Sequence, residues 1–294
     1  MKKIKKSKVE KREQMKSFWF IMPSLIGVII FFVVPFFVVF YYSMIDNPVN
    51  KEFVFIDNFI ILAKNKAFTL AAWNTFKFSL IVLPLAVIIP LLLAMLLMNK
   101  IPGKSAMRSI LISPMMFPVA SIVLIWEVLF HYNGVINSII EKLGFDIVDW
   151  FKSEHSLLVI IILFLWKNVG YNMIMFMAAL GNIPVDVMEA AKIDGAGRIR
   201  TFIKVKLPYI SSSILFVTIL SLINSFKIFI EVYLLTVKYP YETMFTIQHY
   251  MNNTFESLDY QKLSCAAVYM LIVMIILIGI FFILDAKAGR DIEE

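Results

Sequence analysis

The stretch FSLIVLPLAVIIPLLLAMLLM, residues 78–98, carries no charged side chain anywhere along its length. A helix needs roughly 20 predominantly apolar residues to cross the hydrocarbon core of a bilayer, and this stretch is long enough. It lacks the alternation of apolar and polar residues that is typical of strands in a membrane β-barrel. We therefore interpret it as part of a transmembrane helix.

Five further apolar runs lie on either side of this stretch. Including it, the runs cover residues 18–45, 77–99, 109–126, 156–185, 207–226 and 263–284. The third run is rich in proline, and Lys167 is the only charge within the fourth. Because only helices and closed barrels satisfy their backbone polar groups in lipid, the sequence predicts an all-α, polytopic membrane protein with six transmembrane helices.

The overall composition agrees with a membrane location. Of the 294 residues, 60% are hydrophobic and 17% are charged, which is too apolar for a domain with a solvated surface. The formal charge of +7 raises the alternative of a nucleic-acid partner. The basic residues cluster in the amino-terminal tail and the short connections between apolar runs, where they orient the chain in the membrane, so we expect no nucleic acid. The single cysteine, Cys265, excludes an internal disulfide and is expected to be a small buried residue.

The distribution of Lys and Arg predicts the orientation of the chain. The basic residues before the first run are Lys2, Lys3, Lys5, Lys6, Lys8, Lys11, Arg12 and Lys16. Since positive charge collects on the cytoplasmic side, both termini and the second and fourth connections are predicted to be cytoplasmic. We divide the chain into a basic tail (1–16), a first anchor helix (17–45), a membrane core (68–285) and a second tail (286–294).

The sequence lacks the side chains that a membrane enzyme needs. Catalysis requires a nucleophile, an acid–base pair or metal ligands within the bundle. The histidines His131, His155 and His249 fall in predicted outer connections without metal-ligand spacing, and we expect them to be solvated loop residues. Gly103-Lys104-Ser105 is similar to the end of a phosphate-binding loop but lacks its first glycine. We therefore expect no nucleotide site in this chain.

The connection between the fourth and fifth runs has the most distinctive pattern. Residues 183–208 read IPVDVMEAAKIDGAGRIRTFIKVKLP. Pro184 is suited to a helix start, and Gly195 can adopt the left-handed conformation that ends a helix. Ala190 and Ala191 add little bulk, so another protein can approach the backbone of this first short helix closely.

A second short helix is predicted after the turn. It places Ile199, Phe202 and Ile203 on one face, which we expect to pack under the bundle. Two turns of helix are marginally stable alone, so the first helix is interpreted as docking into a groove on another protein. An ordinary amphipathic connection is the alternative on these residues.

This connection resembles the EAA signature of permease subunits of binding-protein-dependent ABC importers. The matching residues are Glu189, Ala190, Ala191, Asp194, Gly195, Ala196, Phe202, Leu207 and Pro208. The form Glu-Ala-Ala-x-Ile-Asp-Gly-Ala is similar to the carbohydrate branch of the family, the maltose and glycerol-3-phosphate type. The resemblance implies that residues 68–285 form a type-1 ABC permease core and that residues 183–208 form its cytoplasmic coupling (EAA) loop.

The resemblance also implies a set of partners and a location. The partners are a second permease subunit, a cytoplasmic ABC ATPase dimer that binds ATP and Mg, an extracytoplasmic solute-binding protein and a carbohydrate substrate. This chain would be the first permease of the pair, would lie in the bacterial plasma membrane, and would itself carry no cofactor and no ATPase site. One departure is Val237-Lys238-Tyr239-Pro240, where the family usually has a Gly-Gly-Pro turn.

Polar residues within two of the apolar runs are candidates for the substrate pathway. Ionisable groups in a membrane span are costly and tend to face an aqueous cavity. The candidates are Asn168, Tyr171, Asn172, Asn224, Lys227 and Glu231. The spacing of Lys227 and Glu231, at i and i+4, predicts an ion pair. Snorkelling of charged residues to the interface and hydrogen bonding between helices are the alternatives.

The function predicted from the sequence is ATP-driven sugar import by alternating access, which rests on the resemblance. A channel or secondary transporter not coupled to ATP is the main alternative. Such proteins more often have internal repeats or broken helices facing ions, and the sequence itself contains neither pattern. A membrane enzyme or an assembly scaffold is a second alternative, disfavoured because the catalytic side chains are missing.

Overall fold

The computed structural model describes residues 8–99, 101–236 and 240–293. The first four lysines of the basic tail and most of the turn at 237–240 lie outside these described residues. Within them the chain is helical and contains no strand, apart from an isolated antiparallel bridge between Ile45 and Phe53. The all-α fold expected from the sequence is therefore confirmed.

Fifteen α-helices occur in the described part of the chain. They are α1 (Lys8–Val28), α2 (Val34–Tyr42), α3 (Asp57–Ala63), α4 (Lys66–Met98), α5 (Lys104–Ile112), α6 (Val119–Phe130), α7 (Val135–Lys142), α8 (Ser156–Gly181), α9 (Val185–Ile193), α10 (Arg198–Thr201), α11 (Leu207–Tyr209), α12 (Ser211–Phe226), α13 (Phe229–Thr236), α14 (Ile247–Glu256) and α15 (Tyr260–Glu293). Short π-helical turns join α1 to α2 (Ile29–Val33) and α10 to α11 (Phe202–Lys206).

Six of these helical segments are long and apolar enough to cross a membrane. They are Lys16–Tyr42, Lys66–Met98, Val119–Lys142, Ser156–Gly181, Ser211–Thr236 and Tyr260–Ala286. The number of spans agrees with the six apolar runs of the sequence. The second span begins before the predicted run, because α4 already starts at Lys66. The fifth span extends beyond its predicted run because a second helix, α13, follows α12.

The third span differs from the single helix predicted over residues 109–126. α5 and α6 are separated by a 3-10 turn, Ser113–Met116, and Phe117 adopts an extended conformation with φ −83° and ψ 140°. Pro114 and Pro118 account for the break. Proline has no amide hydrogen to donate, and its ring disfavours a helical conformation of the preceding residue.

The bundle is packed around α4 and α8, which make the most extensive helix pair. Phe78 of α4 and Phe164 of α8 meet edge to face, with ring centroids 5.7 Å apart, and both are almost completely buried. α8 also approaches α5 through Gly170, where an added Cβ would lie 1.9 Å from the carbonyl oxygen of Leu111. This glycine therefore permits a contact between helix backbones that no other residue allows.

The first span stands largely apart from the rest of the bundle. Its main contact with the bundle is made by α2 against α15, next to which the Cys265 thiol donates to the carbonyl oxygen of Ser43 at 3.4 Å. Cys265 is fully buried, as predicted. Large side chains in the part of the span before α2, such as Phe20 and Phe31, are exposed. In a bilayer these surfaces contact lipid or another subunit.

α14 is amphipathic and lies against α4 and α15. Its His249 is completely buried, so the prediction of a solvated loop histidine is wrong for this residue. The ring packs against Phe229 and Phe245, and Nδ1 lies 2.9 Å from the hydroxyl of Thr246. Burial lowers the pKa of His249 from 6.5 to about 4, because the imidazolium ion loses its hydration.

Candidate functional site

A polar cavity of ≈ 440 Å³ lies between α8, α12 and α13. Its polar lining consists of Lys167, Asn168, Tyr171, Asn224, Lys227 and Glu231. Apolar side chains of the 3-10 turn and α6, Met115 and Val119, form part of another wall. The structure therefore brings five of the six predicted pathway residues together around one space.

Two amides connect the helices on either side of this cavity. Asn224 of α12 donates through Nδ2 to Oδ1 of Asn168 on α8, at 3.2 Å. Asn168 in turn donates through its own Nδ2 to the carbonyl oxygen of Phe164, at 2.8 Å. Tyr171 lies one turn after Asn168 on the same face of α8. The cavity thus has a wall of two hydrogen-bonded amides and a phenol.

The fifth span is broken at the cavity. α12 ends at Phe226, Lys227 has φ −90° and ψ 4°, and α13 starts at Phe229. The Lys227 N–H bonds to the carbonyl oxygen of Asn224 at 3.0 Å. A cation at this position lies next to the negative end of the α12 dipole. Irregular backbone at membrane depth is tolerated where it lines a cavity, which agrees with this location.

The buried carboxylate of the cavity is paired with Lys167. Nζ of Lys167 donates to Oε1 of Glu231, and Glu231 is only 4% exposed. The predicted ion pair between Lys227 and Glu231 is therefore wrong. The break between α12 and α13 removes the regular helical geometry that brings i and i+4 side chains together. Lys167 was not among the predicted pathway residues, although it is the only charge in its apolar run.

Asn172 lies outside the polar cavity and is 3% exposed. Its Nδ2 donates to the carbonyl oxygen of Ala86 on α4 at 2.9 Å and to the hydroxyl of Ser221 on α12 at 3.0 Å. One amide thus joins three helices. This arrangement corresponds to the alternative of helix-to-helix hydrogen bonding, and the sequence pattern did not identify Ser221 as a partner.

A larger cavity of ≈ 670 Å³ lies between α4, α12 and the end of α15. Phe202 and Pro208 line it together with aliphatic side chains, and its described polar lining residues are Ser211, Thr218 and Asp285. A site for a polar solute needs several convergent hydrogen-bonding groups, and the smaller cavity has twice as many polar lining residues. The smaller polar cavity is therefore the candidate substrate site.

The EAA loop, residues 183–208, begins with α9 and a well-defined helix end. The Ala196 N–H bonds to the carbonyl oxygen of Ala191 at 3.0 Å, and the Gly195 N–H to that of Lys192 at 3.1 Å. These two bonds, with Gly195 at φ +69°, form a Schellman motif. Apart from its chain neighbours, no atom of the described residues lies within 4 Å of an added Cβ at Gly195. Glycine is thus favoured here by backbone conformation and not by lack of space.

One face of α9 is exposed at the end of the bundle. Val185, Glu189 and Ile193 follow one another at spacing four, and Val185 and Ile193 are 67% and 86% exposed. Ala190 and Asp194 are also exposed, whereas Ala191 is buried. In the described chain nothing covers this mixed apolar and acidic face.

The second part of the EAA loop packs differently from the prediction. Phe202 packs against the core cluster formed by α4, α8 and α12, but Ile199 and Ile203 are 75% and 51% exposed. Their predicted packing is therefore wrong. The π-helical turn over Phe202–Lys206 changes the angular spacing of successive side chains, so Ile203 does not follow Phe202 into the bundle.

A helical membrane bundle with a polar cavity beside a broken span is typical of membrane transport proteins. Residues 84–288 match the family described as "Binding-protein-dependent transport system inner membrane component". The chain belongs to this family.

Relatives of known function match over most of the chain. The arabinooligosaccharides transport system permease protein AraP of Bacillus subtilis is 31% identical over 224 residues, covering 74% of this chain and 70% of the relative. The trehalose/maltose transport system permease protein MalF of Thermococcus litoralis is 28% identical over 289 residues, covering 97% of each chain.

A solved bacterial ABC transporter involved in the import of the acidic polysaccharide alginate has the same fold. Its TM-score is 0.80 at 22% identity, covering 94% of this chain and 98% of the solved chain. At this identity the likeness concerns the fold and carries no information on substrate.

Proposed function

We propose that this chain is one of two permease subunits of an ABC importer that takes up a carbohydrate delivered by an extracytoplasmic binding protein. Membership of the family and the sugar substrates named for its relatives AraP and MalF support this assignment. The observation that carries it is the polar cavity. Its amides and its phenol match the hydroxyl groups and the ring faces of a sugar, and they lie inside membrane-spanning helices.

In the proposed orientation both termini and the EAA loop lie in the cytoplasm of a bacterial cell. The basic residues of the amino-terminal tail and the loop support this topology. The division into a tail (1–16), an anchor helix (17–45), a permease core (68–285) and a second tail (286–294) follows from it. Cysteine labelling tests the topology: Ala190→Cys should react only from inside and Leu258→Cys only from outside, and the reverse pattern would exclude it.

The EAA loop is proposed to receive the movement of a cytoplasmic ATPase dimer, which binds ATP and Mg. The exposed face of Val185, Glu189 and Ile193 supports docking into a groove, because it combines apolar area with a carboxylate for a partner cation. Phe202 packs against the same cluster as α12, whose far end borders the cavity. Loop movement would therefore reach the cavity through packed helices.

Uptake into proteoliposomes tests the proposal. The full complex, with its second permease, ATPase and binding protein, is expected to accumulate a labelled oligosaccharide only when ATP is present inside. Tyr171→Ala should lower uptake at least tenfold, by loss of about 1.4 kcal/mol or more of substrate contact, while Tyr132→Ala, an exposed residue outside the cavity, should not. Uptake that is independent of ATP would favour a channel or secondary transporter.

The coupling role has its own test in the same complex. Glu189→Ala should reduce stimulation of ATP hydrolysis by the loaded binding protein, because a charged interface contact is typically worth about 2–5 kcal/mol. Glu141→Ala, on an exposed site of α7, is the matched control. Equal stimulation in both variants would remove Glu189 from the interface with the ATPase.

A further inference from the structure

The charged side chains that line the polar cavity have a net positive charge. Among the described lining residues the charged groups are Lys167, Lys227 and Glu231. Glu231 is bonded to Lys167, so this pair is neutral as a unit. Among the described residues, the Lys227 side chain takes part in neither of the two ion pairs and in no side-chain hydrogen bond. One positive charge is therefore left over.

The position of Lys227 makes this charge available to a solute. The residue is exposed and lies at the break between α12 and α13, one turn after Asn224, which also lines the cavity. The carbonyl end of α12 offsets about half an elementary charge at most. The other polar lining groups are the amides of Asn168 and Asn224 and the phenol of Tyr171, which are uncharged hydrogen-bonding groups.

A neutral sugar would fit this cavity poorly. A lysine ammonium is a strongly hydrated point charge, and a neutral solute that displaces its water supplies no negative charge to replace that hydration. An acid group on the solute replaces that water with a charge-assisted hydrogen bond. Amides and a phenol remain available for the hydroxyl groups of the same solute.

We infer that the cavity binds an acidic carbohydrate, a sugar that carries a carboxylate, phosphate or sulfonate group, and that Lys227 binds this acid group. The inference rests on the proposed function, since it specifies the substrate class of the same cavity. Lys227 is then the residue that separates acidic from neutral sugars. The pairing of Glu231 with Lys167 prevents the one acidic side chain among the described lining residues from competing with the substrate.

The wild-type complex gives the first test and needs no variant. Proteoliposomes with the complete importer and its binding protein are supplied with digalacturonate, glucose 6-phosphate, 6-deoxy-6-sulfoglucose or maltose. ATP-dependent uptake of at least one acidic probe in preference to maltose is expected, and the three acidic arms identify which acid group is recognised. Uptake of maltose alone overturns the inference while leaving the proposed function intact. Absence of ATP-dependent uptake for all four probes instead counts against the proposed function.

The second test replaces the cation. Lys227→Gln should lower kcat/KM for the accepted acidic probe by about 10- to 150-fold, as expected for loss of one hydrogen bond between charged groups. Lys227→Arg should retain most of the uptake. Lys77→Gln is the matched control, because Lys77 is also exposed on a spanning helix but does not line the cavity. Co-purification of the other subunits verifies assembly, and unchanged kcat/KM in an assembled Lys227→Gln complex overturns the inference.

Discussion

Lys167 and Glu231, which are 64 residues apart in the chain, are joined by a hydrogen bond between Nζ and Oε1 on two different helices. The bond links α8 to α13 just beyond the break in the fifth span. Because Glu231 is almost fully buried, its carboxylate depends on this one described ion pair for compensation of its charge. The pair therefore contributes to the position of α13, and loss of Lys167 leaves the buried carboxylate of Glu231 unpaired.

We predict that the two members of this pair are strongly coupled in stability. Lys167→Met leaves a buried carboxylate unpaired and should destabilise the complex by about 3–5 kcal/mol. Adding Glu231→Leu should restore most of that loss, since replacement of both charges by apolar groups is often nearly neutral. Thermal unfolding of the purified complexes measures both effects.

The pair of Lys262 with Asp259 provides a matched control. Both side chains are partly exposed, at 43% and 31%, so Lys262→Met should cost about 1 kcal/mol or less. A double variant of Lys167 and Glu231 that is no more stable than Lys167→Met would contradict coupling between these two residues.

Replacing glycine by alanine is predicted to lower stability at Gly170 but not at Gly181. Gly170→Ala would place Cβ 1.9 Å from a backbone oxygen of α5, so helices must separate, and destabilisation of at least about 1–3 kcal/mol is expected. Gly181→Ala, at the end of the same helix with no atom within 4 Å, should be neutral or stabilising by about 0.5–1 kcal/mol. Yield and melting temperature of the two complexes compare them, and equal effects would exclude a tight contact at Gly170.

The number of spans could be predicted because hydropathy is a local property of each apolar run. The break in the third run also had a local cause, Pro114 and Pro118, which the sequence contained. The break at Lys227 has no proline or glycine to mark it, and the partner of Glu231 depends on how two distant helices pack. Those features follow from tertiary structure, and periodicity along one helix does not contain them.

The burial of His249 is another tertiary feature, and it predicts a pH dependence of stability. The unfolded chain binds a proton near pH 6.5 and the folded chain only near pH 4, so stability is full above about pH 6.5 and falls as the pH drops towards 4. The loss from this one group should be about 2 kcal/mol at pH 5.

Melting temperatures of the complex between pH 7 and pH 5 test this effect. His249→Gln should flatten the pH dependence, even if it lowers stability at every pH, because the amide does not titrate. His131→Gln, at an exposed site, is the control and should leave the dependence as it is in the wild type. An unchanged slope in His249→Gln would show that other groups cause the acid sensitivity.

Gly195 predicts a graded effect on the EAA loop. Its φ of +69° is tolerated by asparagine better than by alanine and is costly for a β-branched residue. ATPase stimulation by the loaded binding protein should therefore fall in the order Gly195→Asn, Gly195→Ala, Gly195→Val, with a strain of about 1–3 kcal/mol in the last. The strain changes the direction in which the chain leaves α9, and so the angle between α9 and α10.

Gly197 supplies the control for this series. It lies two residues away, also with no atom within 4 Å of an added Cβ, but its φ is −65°, which any residue adopts. Gly197→Val should therefore retain stimulation close to that of the wild type, while Gly195→Val loses it with the complex still assembled. If valine had the same effect at both positions, bulk on the loop surface would be the cause, and the left-handed conformation at Gly195 would have no part in coupling.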